Sequence, residues 1–187
     1  MKIQKMDEWR FQQVSRYVAG QSVLDVGCGN KRMKVYLPDN TFYIGLDIVK
    51  SKRPDVVAHG GYLPFKNESF DTVLLLEVLE HVECPLFVLK ECVRVSKRRV
   101  IISVPNPYAL FEIGEYVFRK RDTIAKEHIS KFGINEMRNL CSRAGLRIIT
   151  IEDTALRIPT FTRFELFIPL RTRFGRWKIF VCEKIRS

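Results

Sequence analysis

The sequence predicts an α/β fold, a doubly wound and mostly parallel sheet of seven strands with helices on both faces. Three observations lead there. Short apolar runs of the kind that become strands buried on both faces recur along the chain, the first at Val23, Leu24 and Val26. Segments with apolar residues at helical spacing alternate with them, which implies parallel pairing through crossover helices. The first strand also stops abruptly at Gly27-Cys28-Gly29. Two glycines one residue apart let the backbone turn sharply and leave no side chain between it and a ligand. Asn30 to Leu37 then reads as a short helix with Met33, Tyr36 and Leu37 on one face, ended by Pro38. Strand, loop and helix make the first unit of such a sheet, with a ligand over the loop.

The other elements follow in order. Asp7 to Ala19 is an amphipathic helix, with Trp9, Val14, Tyr17 and Val18 available to cover the sheet and Gly20 as its stop. Phe42 to Ile48 is the second strand, with Asp47 near its carboxyl end. Asp55 to His59 is a short third strand that Gly60-Gly61 terminates. Asp71 to Glu77, apolar along most of its length, is a central fourth strand. Pro85 opens a helix whose Leu86, Leu89 and Val93 share a face. Arg99 to Val104 is the fifth strand, stopped by Pro105-Asn106-Pro107. Tyr108 to Phe118 has helical spacing and runs into Arg119-Lys120-Arg121. Ile134 to Ala144 is a further helix, with Ile134, Met137, Leu140 and Cys141 inward and Gly145 as its stop. Leu146 to Ile151 and Lys178 to Cys182 are the last two strands.

The 187 residues suffice for one domain that buries roughly 70% of its unfolded surface. Apolar residues at 46% and charged residues at 28% are those of a soluble globular protein. No apolar stretch is long enough to span a bilayer, and residues 1–20 are too polar for a signal peptide, so a cytoplasmic location is expected. Five scattered cysteines contain no C-x-x-C pair, which points to reduced thiols and no metal site. The net charge of +11 favours a polyanionic partner such as RNA or an anionic membrane surface, or else describes a well-solvated surface. No recognisable nucleic-acid-binding module accompanies it.

In such a sheet the ligand sits outside the carboxyl ends of the strands. Asp47, about twenty residues beyond the glycine loop, can accept hydrogen bonds from both hydroxyls of a ribose, or else serve as a strand-end cap. A dinucleotide loop requires a third glycine, and the register puts Arg32 there. A nicotinamide dehydrogenase is disfavoured on that ground, and a cofactor without a pyrophosphate suits the loop better.

Four ordered stretches, Leu24 to Gly29, Gly45-Leu46-Asp47, Leu63 to Asp71 and Glu77 to Val82, resemble the class I S-adenosylmethionine-dependent methyltransferases of the small-molecule type. The resemblance covers about Gln21 to Leu146 and implies a Rossmann-like sheet whose last strand is antiparallel. It implies one methyltransferase domain over residues 1–187, with an N-terminal helix (1–20), a cofactor-binding half (21–105) and an acceptor side with lid and last strands (106–187). Transferred residue by residue, Asp25, Gly27, Cys28 and Gly29 would cradle the methionine part of S-adenosylmethionine. Asp47 would bind the ribose with Ile48 beside it, Gly60, Gly61 and Tyr62 would flank the adenine, and Glu77 would lie under the methyl group. Two positions depart from the family pattern. His59 stands where an acid often meets the adenine amino group, leaving backbone groups of Gly60 to Tyr62 to recognise the base. Lys31 stands where a small residue is common and must point outward.

The implied reaction is an in-line displacement of a methyl group from a sulfonium. Orientation can supply roughly 7–11 kcal/mol, against about 3–5 kcal/mol for the 10²–10⁴-fold of a general base, so positioning dominates. His81, after the fourth strand, is a candidate proton acceptor or a cap of its turn. His128, before the helix at Ile134, either transfers a proton or makes a structural hydrogen bond. In Ala155 to Trp177, Phe161, Phe164, Phe167, Phe174 and Trp177 interleave with Arg157, Arg163, Arg171, Arg173 and Arg176. That pattern can bind nucleic acid or a membrane surface, but flanking strands favour aromatic packing beneath the sheet. The leading reading is methyl transfer to a small or lipid-like acceptor. The alternatives are transfer to RNA or protein, and a cofactor-binding adaptor without turnover.

Overall fold

A computed structural model describes residues 2–109, 129–159 and 165–185. The elements, in chain order, are α1 (Lys2–Ser15), β1 (Ser22–Val26), β2 (Phe42–Asp47), β3 (Val56–Val57), β4 (Phe70–Leu76), α2 (Pro85–Val95), β5 (Ser96–Pro105), α3 (Ile134–Arg143), β6 (Leu146–Asp153), β7 (Ala155–Pro159), β8 (Glu165–Arg171) and β9 (Trp177–Lys184). Seven strands form one sheet in the order β3-β2-β1-β4-β5-β9-β6. All its pairs are parallel except those that β9 makes with β5 and β6. The strand order reverses beside β1, so the crevice at the carboxyl ends of β1 and β4 is the ligand position of an open α/β sheet. Tyr108 to Phe118 and His128 fall largely or wholly outside the described residues.

The sheet is covered on both faces, as its continuous apolar strands require. On one face Phe11 and Val14 of α1, with Met33 of the short helix after the glycine loop and Leu37 just beyond it, pack on Val23, Leu74 and Ile101. That helix is a 3-10 turn over Arg32–Tyr36. On the other face Val88, Leu89, Cys92 and Val95 of α2, with Met137 and Cys141 of α3, pack on Leu24, Val73, Val100 and Phe180. Pro at the first turn of α2 occupies a position whose missing N–H is unneeded.

Three local expectations are corrected. The first helix ends at Ser15, not Ala19. The chain leaves it early because β4 claims the next residues. The Thr72 hydroxyl accepts from Ala19 N at 3.0 Å and donates to Ala19 O at 2.7 Å, and the Asp71 carboxylate accepts from Gln21 N, Ser22 N and the Ser22 hydroxyl. Gly20, at φ +76°, permits this close pass: a Cβ there would lie 2.3 Å from Asp71 Cβ. The third strand shrinks to Val56–Val57 at the sheet edge, where short strands limit open hydrogen-bonding groups. The stretch Ala155 to Trp177 contains a separate antiparallel hairpin of β7 and β8. Of its aromatic residues, Trp177 is buried as expected, whereas Phe174 is exposed. The hairpin's return is fixed by Asn106, which is fully buried and donates through Nδ2 to Arg173 O (2.9 Å) and Gly175 O (2.8 Å). Thr154 locks the other side: its hydroxyl accepts from Trp177 N at 2.8 Å and donates to Trp177 O at 2.9 Å.

Candidate functional site

The glycine loop leaves β1 with Gly27 at φ +74° and Gly29 at φ +51°, left-handed conformations that glycine adopts without Cβ strain. Gly27 N and Cys28 N both donate to Leu46 O of the neighbouring strand, at 2.8 and 3.0 Å. A Cβ on Gly27 would come within 2.4 Å of Val78 Cγ2, while one on Gly29 would meet nothing within 4 Å. The loop is thus pressed against the turn after β4 on one side and open on the other. Lys31, also left-handed at φ +56°, turns outward, and its Nζ pairs with Asp55 Oδ1 at 2.8 Å. This keeps its side chain clear of the cradle.

Asp47 joins loop and strand end. Its Oδ2 accepts from Gly29 N and its Oδ1 from Val49 N, both at 2.8 Å. Each oxygen keeps a further lone pair for a ligand hydroxyl. Ile48 follows directly and is exposed. Asp25 lies beneath the loop, 2% exposed, and its Oδ2 accepts from the Tyr43 hydroxyl at 2.7 Å. Burial raises its carboxyl to about 7, against the opposing pull of that bond and of Arg10. Cys28 is buried, and its thiol is pushed up to about 12, so it packs as a small apolar group.

On the adenine side of the expected site, the His59, Tyr62 and Phe87 rings form a run with centroid separations of 6.1 and 5.1 Å. His59 Nδ1 accepts from Gly61 N at 3.0 Å, so His59 shapes the turn. A Cβ on Gly61 would strike the Phe87 ring at 2.8 Å, and one on Gly60 would press on Val26 and Val88 at 3.3 Å. The two glycines let this turn settle on α2 and the end of β1.

Glu77 directly follows β4 in a left-handed conformation, φ +59°, that a side-chain-bearing residue seldom adopts outside a constrained site. Its N–H donates to Ser103 O. Its carboxylate accepts from Trp177 Nε1 at 2.6 Å and the Ser103 hydroxyl at 3.2 Å, and lies 3.2 Å from Arg10 Nη1. Burial raises its pKa, opposed by Arg10 and the Trp177 bond. Arg10, reaching over from α1, stacks on the Trp177 ring at 4.5 Å and the Phe11 ring at 5.1 Å. Its Nε is buried without a hydrogen-bond acceptor.

Arg10 and Glu80 border the candidate site without a role read from the sequence, and Trp177 was expected only to pack beneath the sheet. Arg10 and Trp177 arrive from distant parts of the chain through packing alone. Glu80 sits inside a recognised motif, but its inward direction depends on the 3-10 turn Leu79–His81. It is 1% exposed with neither carboxyl oxygen hydrogen-bonded, and burial, then the Glu77 charge, pushes it up to about 8. His81, on the same turn, is exposed at the mouth of the crevice. His128 lies outside the described residues, but Ile129 N and Ser130 N donate to Glu80 O at 2.8 and 3.2 Å, tying the segment before α3 to this turn. Among the described residues no group of three or more His, Cys, Asp or Glu converges as a metal site, and no helix is long and apolar enough to cross a membrane.

The buried carboxyl of Glu80 predicts a pH dependence. Its folded pKa, about 8, exceeds the unfolded value of roughly 4.3, so the folded state holds the extra proton. The stability this confers is complete below about pH 4 and is lost as pH rises through 8. Asp25 acts in the same sense up to about pH 7. Glu80→Gln should therefore flatten the decline of unfolding free energy between pH 5 and pH 9, by about 2–5 kcal/mol in denaturant titrations. An unchanged slope would show that Glu80 is ionised in the folded protein.

Residues 24–104 match the family model described as a methyltransferase domain. An uncharacterized protein of Methanocaldococcus jannaschii is 36% identical over 104 residues, a match that covers 51% of this chain and 45% of that one. The chain thus spans less than half the length of that relative. Among solved structures, a SAM-dependent methyltransferase of Thermotoga maritima superposes with a TM-score of 0.72 at 21% identity, over 95% of this chain and 88% of that one. One from Archaeoglobus fulgidus superposes at 0.70 with 20% identity, over 96% and 94%. These likenesses establish the fold, and the match over 24–104 falls on the glycine loop, Asp47 and the turn after β4. By fold, and by the methyltransferase-domain match over residues 24–104, the chain is similar to the S-adenosylmethionine-dependent methyltransferases.

Proposed function

We propose that the protein binds S-adenosylmethionine over the glycine loop and transfers its methyl group to a small or lipid-like acceptor. The supporting observation is the cradle itself. Gly27 and Gly29 are left-handed, the space above Gly29 is open, and Asp47 and Glu77 stand at the ends of the two strands flanking β1. In this reading Asp47 takes the ribose hydroxyls, Ile48 and Tyr62 flank the adenine, and Gly60 and Gly61 supply backbone groups to its edge. Gly27, Cys28 and Gly29 line the amino-acid moiety, and Asp25 supports the loop from beneath. The Nε of Arg10, buried without an acceptor while the rest of the guanidinium meets Glu77 and Asp7, is the cationic partner for a carboxylate there. The domain divides as a covering helix (1–20), a cofactor half (21–105) and an acceptor side (106–187).

Bound there, the cofactor supplies a methyl group already activated by its sulfonium. The chain's task is alignment and exclusion of water, which can be worth roughly 7–11 kcal/mol. Glu77, clamped by Trp177, Ser103 and Arg10, fixes the floor of the crevice. His81 at its mouth accepts the acceptor's proton, and His128 is the second candidate for that role.

Calorimetric titration tests the cofactor. S-adenosylhomocysteine and S-adenosylmethionine should bind with micromolar or better affinity and raise the melting temperature, as a ligand of the native state does, while NAD leaves it unchanged. Binding of NAD with no response to S-adenosylmethionine would overturn the reading. Labelled cofactor presented with small molecules, lipids, protein and total RNA then identifies the acceptor, and absence of product from all of them would favour an adaptor without turnover.

A further inference from the structure

A second cavity, of about 910 Å³, lies at the opposite end of the sheet from the glycine loop. It is enclosed by the first residues of β5 and β6, the last of β9 and the outer side of α3. Because β9 runs antiparallel, this is the amino end of every parallel strand. Seven or so residues of strand separate it from the cofactor site, roughly 20–30 Å. Its charged lining is Lys97, Arg98, Arg138, Arg147 and Lys184 against a single acid, Glu183.

Glu183 does not neutralise the cavity, because it is already taken. Its carboxylate pairs with Arg99 at 2.7 Å and Arg98 at 3.4 Å, and the Arg99 bond holds it below the usual carboxylate range. Lys97 pairs with Asp71 and Lys184 with Glu68. Arg138 on α3 and Arg147 on β6 are exposed and have no acidic partner among the described residues. Two unpaired guanidinium groups therefore face one concavity.

We propose that this groove binds the phosphodiester backbone of a single-stranded nucleic acid, independently of the methyl-transfer site. A guanidinium presents a planar fork of donors that matches two phosphate oxygens, and concave low-dielectric walls concentrate the positive potential. Among the described residues no aromatic side chain lines the groove to stack on bases, so recognition is of the backbone without regard to sequence. A membrane surface fits less well. The patch is concave, and among the described residues Ile185 is its only strongly exposed apolar one, whereas interfacial binding needs a projecting apolar face. Some of the chain's net charge of +11 thereby acquires a specific place.

Fluorescence anisotropy with labelled oligouridylate and oligothymidylate, from about 50 to about 200 mM salt, tests this, the two probes separating RNA from DNA backbones. Binding to one or both should weaken steadily with salt. Arg138→Ala/Arg147→Ala should weaken it about 10- to 30-fold near 100 mM salt and flatten the log–log salt slope by roughly 1.4, about 0.7 per lost phosphate contact. Arg16→Ala/Lys34→Ala removes two exposed cations from the opposite face and should leave affinity within about twofold. Melting temperatures close to the parent's establish that both variants are folded, as expected at exposed positions. Equal weakening in the two double variants, no weakening in the first, or no binding of either oligonucleotide would overturn the proposal. So would sedimentation with phosphatidylserine vesicles by a protein that ignores both oligonucleotides. Cofactor affinity, measured in parallel, should be the same in all three proteins.

Discussion

Gly27→Val is expected to abolish cofactor binding. The first valine carbon would lie 2.4 Å from Val78 Cγ2, far inside van der Waals contact, at a backbone angle of φ +74° that a β-branched residue resists. The strain cannot be relieved outward without moving the loop, because Gly27 N and Cys28 N are both tied to Leu46 O. Relief through Val78 displaces the residue next to Glu77 and hence the floor of the crevice. Strain and overpacking should together cost about 2–4 kcal/mol of stability, and cofactor affinity should fall more than about 100-fold. Gly27→Ala meets the same contact with fewer atoms and should fall between the two proteins. Denaturant unfolding and calorimetry with S-adenosylhomocysteine on the same samples separate the effects. A folded Gly27→Val protein that binds within about threefold of the parent would mean the loop is structural and the cofactor lies elsewhere.

How far the site was legible depended on how locally each part is determined. The glycine pair, Asp47 and the Gly60-Gly61 turn are set by the residues themselves, through backbone freedom and the spacing of strand ends, and the fold places them together. Lys31 shows the same logic applied to a departure. A bulky residue in the loop is accommodated by a left-handed backbone and an ion pair to Asp55 outside the cradle. The Arg10, Glu77 and Trp177 cluster had no such signature. Arg10 and Trp177 are 167 residues apart, and their meeting follows from the way α1 crosses strand ends that only the folded sheet brings together. The β7–β8 hairpin escaped for a different reason. Interleaved aromatic and basic residues, broken by Pro159 and Pro169, lack the clean period of two that marks a half-buried strand. Glu80 was visible as a letter in a motif, but a carboxylate in a turn is ordinarily solvated, and its burial depends on the 3-10 turn that points it inward.

Asp47→Ala should weaken cofactor binding by about 2–4 kcal/mol, roughly 30- to 1000-fold, and the structure dictates how that loss must be read. In the proposed complex, two roles converge on one carboxylate. It already accepts from Gly29 N and Val49 N at 2.8 Å, so removing it frees the glycine loop as well as deleting the acceptors for two ribose hydroxyls. Charge-assisted bonds of this kind are worth roughly 1.5–3 kcal/mol each, and water at the open end of the sheet replaces part of that. A single substitution therefore cannot separate ribose recognition from loop support. A cycle with the ligand as one partner can: parent and Asp47→Ala proteins are each titrated with S-adenosylhomocysteine and with its 2′-deoxy analogue. Loosening of the loop penalises both ligands alike and cancels. What survives is the coupling between the carboxylate and the 2′-hydroxyl, expected at about 1–2 kcal/mol, so the mutation should cost the deoxy analogue about 5- to 30-fold less than the full ligand. Equal losses for the two ligands would confine Asp47 to holding Gly29 and Val49 in place, with no hydrogen bond to that hydroxyl.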